Sequence, residues 1–261
     1  MLTSLQNPRI KNVLKLNKAH ERRVQGLFVI EGIRELSLAM EAGYALREVF
    51  VCEKLLDTAD KALIHGLPVP VEYVTPEIFE KLAYRGKADG IIAVAVLPRL
   101  CLCDVFLSET PFVIVLEAVE KPGNLGAVLR TADAARVDAV VVCDPQTDLY
   151  NPNTIRSSIG CVFTQQVVVC TSEEALQWLK QQGIRIHAAE LSAAERYYQT
   201  DFTVPAAVVM GTEADGLTSF WLHNADRRIK IPMQGHIDSL NVSVATAVIT
   251  FEAMRQRGFD A

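Results

Sequence analysis

From Phe112 onward one pattern recurs: a nearly continuous apolar run, a helical stretch, another apolar run. "FVIVLEAV" (112–119), "DAVVVCD" (138–144), "QQVVVC" (165–170), "IRIHAAEL" (184–191), "AAVVMG" (206–211) and "RRIKIPM" (227–233) are the runs. A strand with one face in water alternates polar with apolar residues, and most of these runs do not. Strands buried on both faces belong to parallel sheets with helices packed on each side. The expected fold class is therefore α/β: a C-terminal, mostly parallel sheet with helices on both faces.

The first hundred residues carry a smaller version of the same alternation. The spacing predicts one helix over 4–24, with Leu5, Ile10, Val13, Leu14 and Leu16 as its apolar stripe. It predicts strands in 27–32, 46–53, 69–75 and 90–97, with helices between them. "PRLCLCDVFLSETP" (98–111) has poor periodicity and a proline at each end, so it reads as a linker. The expected domains are 1–97, a small α/β domain, and 112–261, the larger one.

Half the residues are hydrophobic, which describes a globular chain with ample core. No apolar run reaches the roughly 18 residues needed to span a bilayer. The N-terminus has no apolar signal-peptide core, so no membrane association and a cytoplasmic location are expected. The six cysteines, at 52, 101, 103, 143, 161 and 170, form no C-x-x-C pair, and small buried thiols are the expectation. Net charge is −5, yet residues 1–25 carry Arg9, Lys11, Lys15, Lys18, Arg22 and Arg23 against Glu21 alone. Such a basic segment fits an arm for phosphates, and equally a solvated helix face.

Ligands of open α/β sheets sit beyond the carboxyl ends of the strands, and three strand ends here are unusual. The first is "EAVEKPGNLGAVLRTADAA" (117–135). Asn124 is placed to cap a helix, Gly123 and Gly126 permit close backbone approach, and Arg130 could reach back over the mouth. The second is "VVMGTEADGL" (208–217), where Glu213 follows Gly211 at once. The third is "IPMQGHIDSLNVSVATAVITFEAMRQRG" (231–258), in which Ser239 can cap the closing helix with Asn241 in its first turn. Taken singly, a capped helix, an ordinary turn and a second capped helix explain each as well.

Together and in this order, "NLGAVLRTADA", "GTEADGL" and "IPMQGHIDSLNVSVATAV" resemble the three motifs of the SpoU (TrmH) RNA ribose methyltransferases. "NPRIK" and "FVIEGIREL" likewise resemble the small RNA-binding domain of the ribosomal-RNA members. The resemblance implies transfer of a methyl group from S-adenosylmethionine to a ribose 2′-hydroxyl, with 23S ribosomal RNA as the expected substrate. It implies a deep C-terminal trefoil knot and a homodimer. It assigns Gly211, Ile231 and Leu240 to the cofactor and Asn124, Arg130, Glu213, Ser239 and Asn241 to the catalytic cluster. Arg156, in "NPNTIRSSIG", falls where relatives meet substrate phosphate, and Arg9, Lys11, Arg22 and Arg23 would hold RNA. A sulfonium carries its methyl already activated, so no metal is expected. Transfer-RNA methylation, a non-catalytic RNA-binding or ribosome-assembly module and a nucleotide-dependent enzyme remain alternatives. The last lacks both G-x-G-x-x-G and a P-loop.

Overall fold

The computed structural model describes residues 1–84, 89–212 and 214–259. In chain order the elements are α1 (Pro8–Lys15), α2 (Ala19–Gln25), β1 (Leu27–Glu31), α3 (Ile33–Glu41), β2 (Leu46–Val51), α4 (Thr58–His65), β3 (Val71–Tyr73), α5 (Pro76–Leu82) and β4 (Ile91–Val96). There follow β5 (Phe112–Glu117), α6 (Pro122–Ala134), β6 (Ala139–Cys143), α7 (Pro152–Ser157), α8 (Cys161–Thr164), β7 (Val167–Cys170), α9 (Ser172–Gln181) and β8 (Arg185–Ala189). The chain closes with β9 (Glu195–Arg196), β10 (Ala206–Met210), α10 (Ser219–Asn224), β11 (Arg227–Lys230) and α11 (Val242–Gln256). These elements form two compact units, Met1–Arg99 with Asp148–Thr164, and Leu100–Thr147 with Gln165–Ala261.

The first unit holds a four-stranded sheet in the order β1-β4-β2-β3, in which β4 runs antiparallel to both neighbours. Ile10, Val13 and Leu16 pack onto Phe50, Ile92 and Val94. The single helix expected over 4–24 is two. Asn7 caps α1 by accepting the Arg9 N–H at 2.9 Å, and Pro8 starts it without a wasted donor. The helix then ends at Leu16, whose carbonyl accepts instead from Arg22 Nη1 at 2.8 Å.

That contact overturns the assignment of Arg22 to RNA. Its side chain is 1% exposed, and its guanidinium pairs with Asp148 at 2.9 Å. Buried and paired, it cannot reach a phosphate. Arg9 is likewise engaged by Glu48 and Glu72, each at 2.6 Å, and lies over the Phe50 ring. Of the four cations assigned to RNA in this arm, Lys11 and Arg23 stand exposed.

Residues 148–164, counted by the sequence pattern with the C-terminal domain, pack within the first unit. Asp148 pairs with Arg22, and Phe28 meets the Tyr150 ring at 4.5 Å and the Phe163 ring at 6.1 Å between centroids. The Tyr44 and Tyr150 hydroxyls lie 3.2 Å apart.

The second unit holds seven strands in the order β7-β6-β5-β10-β8-β11-β9, every paired neighbour parallel. Val113, Val115, Val141 and Val209 are fully buried beneath helices, as the unbroken apolar runs require. The sequence pattern missed β9, a two-residue edge strand with no apolar run. Thr171 and Glu174 form a capping box at the start of α9. Trp221, fully buried in α10, donates its indole N–H to Ser172 Oγ at 3.2 Å. Ser172 in turn donates to Asp144 at 2.7 Å.

The cysteines do not share one environment. Cys52, Cys143 and Cys161 are buried, but Cys101 and Cys103 are exposed and joined by a disulfide. Among the described residues no helix is long and apolar enough to cross a membrane.

Arg22→Ala would strand the Asp148 carboxylate and the Leu16 carbonyl. Breaking such a buried pair is expected to cost about 3–5 kcal/mol of stability in urea unfolding. A loss below about 1 kcal/mol would show the pair to be dispensable.

Candidate active site

Three parallel strands of the second unit, β8, β10 and β11, end on one side, and the chain beyond each forms a wall of one cavity of about 550 Å³. Residues 189–192 end and follow β8, residues 210–212 and 214–217 end and follow β10, and residues 229–231 with Met233 cover the end of β11. Asp238, Ser239 and Leu240, with Val242, Ala245 and Ile249 from the first turns of α11, complete it. This volume lies within the roughly 300–1,000 Å³ typical of small-molecule sites.

Gly211 is dictated by the loop that follows it. A Cβ there would meet the Gly216 carbonyl carbon at 2.1 Å and the Leu217 nitrogen at 2.4 Å. The loop folds back because Thr212 and Gly216 exchange backbone hydrogen bonds of 3.0 and 3.1 Å. Gly216 has φ +70°, a conformation that glycine adopts without strain.

The far end of this loop is held by a residue that the sequence reading passed over. Glu117, 5% exposed at the end of β5, accepts from the Thr218 N–H at 2.8 Å and the Thr218 hydroxyl at 2.6 Å. Hydrogen bonds to a charged group each contribute about 1.5–3 kcal/mol. An acid closing an otherwise apolar strand was the visible signal.

Both expected helix caps shift. Asn124 is the third residue of α6, whose cap position is Lys121 and whose first residue is Pro122. Proline at that point starts the helix three residues earlier than an asparagine cap would. Likewise α11 starts at Val242, and its cap is Asn241 rather than Ser239. Asn241 Oδ1 accepts from the Ser243 N–H at 3.0 Å and its hydroxyl at 2.6 Å. Asn241 Nδ2 donates to Asn124 Oδ1 at 3.2 Å, which ties the two helix starts together across 117 residues of chain.

The structure thus brings Gly211, Ile231, Ser239 and Leu240 to one cavity, and joins Asn124 to Asn241. Ser239 is exposed and donates to Asp238 at 3.0 Å. Arg130 is exposed on α6 and is not part of the cavity wall. Arg156 is exposed on α7 in the first unit. Glu213 lies outside the described residues.

The cavity combines apolar walls, from Met210, Leu217, Leu222 and Ile249, with a polar rim. Glu190, Asp215 and Asp238 on that rim outnumber Lys230. Apolar walls suit an aromatic ring, main-chain groups beyond the strand ends suit its polar edge, and an acid-biased rim suits a cation. Those are the requirements of a sulfonium nucleoside such as S-adenosylmethionine.

Gly211→Ala is expected to displace the 212–217 loop and to lower stability by about 1–3 kcal/mol. The Gly216 amide should then exchange its hydrogen much faster. Unchanged exchange at Gly216 would show that the close approach is not needed.

Residues 111–251 match the SpoU rRNA Methylase family, and residues 7–93 match the MRM3-like substrate binding domain. The 23S rRNA (guanosine-2′-O-)-methyltransferase of Escherichia coli K12 is 32% identical over 241 residues, covering 88% of this chain and 98% of that protein. A crystal structure described as an RNA 2′-O ribose methyltransferase is 39% identical, covers 98% of both chains and superposes with a TM-score of 0.86. The SpoU methyltransferase AviRb from Streptomyces viridochromogenes, crystallised with AdoMet, is 27% identical, with 97% of this chain and 98% of that chain covered and a TM-score of 0.91. The chain belongs to the SpoU rRNA methylase family, S-adenosylmethionine-dependent RNA 2′-O-methyltransferases.

Proposed function

We propose that this protein transfers a methyl group from S-adenosylmethionine to a ribose 2′-hydroxyl of 23S ribosomal RNA. The observation that carries the proposal is the cavity closed by Gly211, Ile231 and Leu240, on a fold shared with an enzyme crystallised with AdoMet. In this reading the backbone at those three residues holds the cofactor. The bound sulfonium supplies a methyl group that needs no further activation.

The residues of the chain then have to manage the ribose hydroxyl. Holding it in line with the methyl carbon contributes roughly 7–11 kcal/mol through orientation. The Asn124–Asn241 pair fixes the starts of α6 and α11, and Ser239 supplies a hydroxyl at the cavity wall. Glu213 is proposed as a further polar member of the cluster. A guanidinium does not release its proton at working pH. Arg130 is therefore assigned to clamping substrate phosphate and to stabilising the oxyanion that develops on the ribose. Arg156, Lys11 and Arg23, all exposed, are assigned to the RNA backbone.

The same reading includes a homodimer, a trefoil knot and a cytoplasmic site of work. Insertion of β10 between β5 and β8 is the strand order that supports the threaded path. The dimer rests on α11, which leaves large apolar side chains exposed as well as buried. Ile249, Ala253 and Met254 are buried, yet Val244 is 48% exposed and Phe251 41%. Large apolar side chains left exposed on a helix otherwise packed in the core offer a surface for a neighbour.

Arg130→Ala is expected to lower methyl transfer to ribosomal RNA by about 100- to 1,000-fold while leaving S-adenosylmethionine affinity in calorimetry within about twofold. Loss of cofactor affinity would move Arg130 from catalysis to binding, and failure of the unaltered protein to bind S-adenosylmethionine would remove the proposal. Phe251→Asp is expected to convert a dimer to monomers in sedimentation equilibrium. A monomeric unaltered protein would refute the dimer.

A further inference from the structure

The first unit contains a second cavity, of about 200 Å³, between β1, the start of α3 and α7. It is smaller than the roughly 300 Å³ at which ordinary small-molecule sites begin, and so suits one ring system rather than a whole cofactor. Its lining combines three carboxylates, Glu31, Glu35 and Asp89, with Arg34, Arg156 and Tyr84.

The arrangement is built rather than incidental. Glu35 is 7% exposed, although carboxylates are seldom buried without cause, and Arg34 Nη2 holds it at 2.7 Å. Gly32, with φ +106°, lets it approach, since a Cβ there would meet Glu35 Oε2 at 2.6 Å. Glu31 accepts the Tyr84 N–H at 2.8 Å. Burial pushes the Glu31 carboxyl above the usual carboxylate range, with Asp89 and Glu35 adding to the shift against the Tyr84 N–H and Arg156. Tyr84 is 41% exposed, and its hydroxyl accepts from Asn153 Nδ2 at 3.2 Å, which fixes the ring.

For a protein that handles a polyanion, clustered carboxylates are unfavourable unless they receive hydrogen bonds from something other than phosphate. Unpaired RNA bases are read on their Watson–Crick edges while stacked on aromatic or guanidinium planes. Guanine alone among the four bases offers two adjacent donors on that edge, N1–H and the N2 amino group, which match the two oxygens of a carboxylate. Cytosine and adenine pair a single amino donor with an acceptor, and uracil flanks its one donor with two carbonyls.

We propose that the cavity lined by Glu31, Glu35, Asp89 and Tyr84, flanked by Arg34 and Arg156, receives an unpaired guanine of the substrate RNA. The carboxylates accept from its Watson–Crick edge, Tyr84 stacks against its ring, and the arginines hold the adjoining phosphates. The inference rests on the RNA-methyltransferase reading and adds to it a base specificity residing in the first unit.

The test uses the full chain and 12-nucleotide oligouridine RNAs carrying one central guanosine, inosine, adenosine or cytidine. Binding is followed by fluorescence anisotropy at low salt. Inosine lacks only the N2 amino group. Guanosine should bind about fivefold or more tightly than inosine, the lower end of what a bidentate base contact contributes. Glu31→Gln should bring that ratio close to one while leaving affinity for plain oligouridine unchanged. Asp89→Asn, at an exposed position, should reduce the same ratio and serves if Glu31→Gln fails to fold by circular dichroism. RNA binding without preference for guanosine, a preference for cytidine, or a ratio that survives both substitutions overturns the pocket and leaves the methyltransferase reading standing. If no RNA binds, both fall.

Discussion

Parallel pairing of β10 with β5 on one side and β8 on the other is the constraint on which the second unit depends. It puts the chain segments after β8 and β10 beside one another, at the ends where backbone groups run out of partners within the sheet. Gly211 lets the returning loop touch the strand it has just left. The Glu117 carboxylate holds the other end of that loop to β5, a neighbour in the sheet and a stranger in sequence. The cavity is thus mostly a product of main-chain geometry. This is consistent with side chains of quite ordinary type lining it.

The unbroken apolar runs made the larger sheet legible in sequence, because burial on both faces leaves no room for alternation. Its edge was not legible: β9 is two residues long and polar. Of the strand ends singled out, those of β10 and β11 open on one cavity shared by Gly211, Ile231 and Leu240, while the end of β8, which also lines it, carried no such signal. Helix starts were harder. Asn124 and Ser239 were each sound cap candidates, and each lost to a residue two or three positions away. Local propensity ranks such neighbours almost equally, and tertiary contacts such as the Asn124–Asn241 bond decide between them.

Charge was the least legible property. Six cations in the first 25 residues read as one arm, yet a sequence does not reveal whose charge is already answered. Arg22 meets Asp148, 126 residues away, and Arg9 meets Glu48 and Glu72. These three carboxylates are unremarkable in sequence. The cavity lining around Glu31 was passed over for a related reason, since it comes from three separated parts of the chain.

The packing of residues 148–164 onto Phe28 and Arg22 affects the order of folding. The first unit cannot finish its aromatic cluster until β5 and β6 of the second have been made. A fragment cut after Arg99 would hold all four strands of its sheet but lose the Tyr150 and Phe163 rings against Phe28 and leave Arg22 without its Asp148 counter-ion. The two units are therefore interlaced in synthesis, and neither is a detachable module with a single cut point.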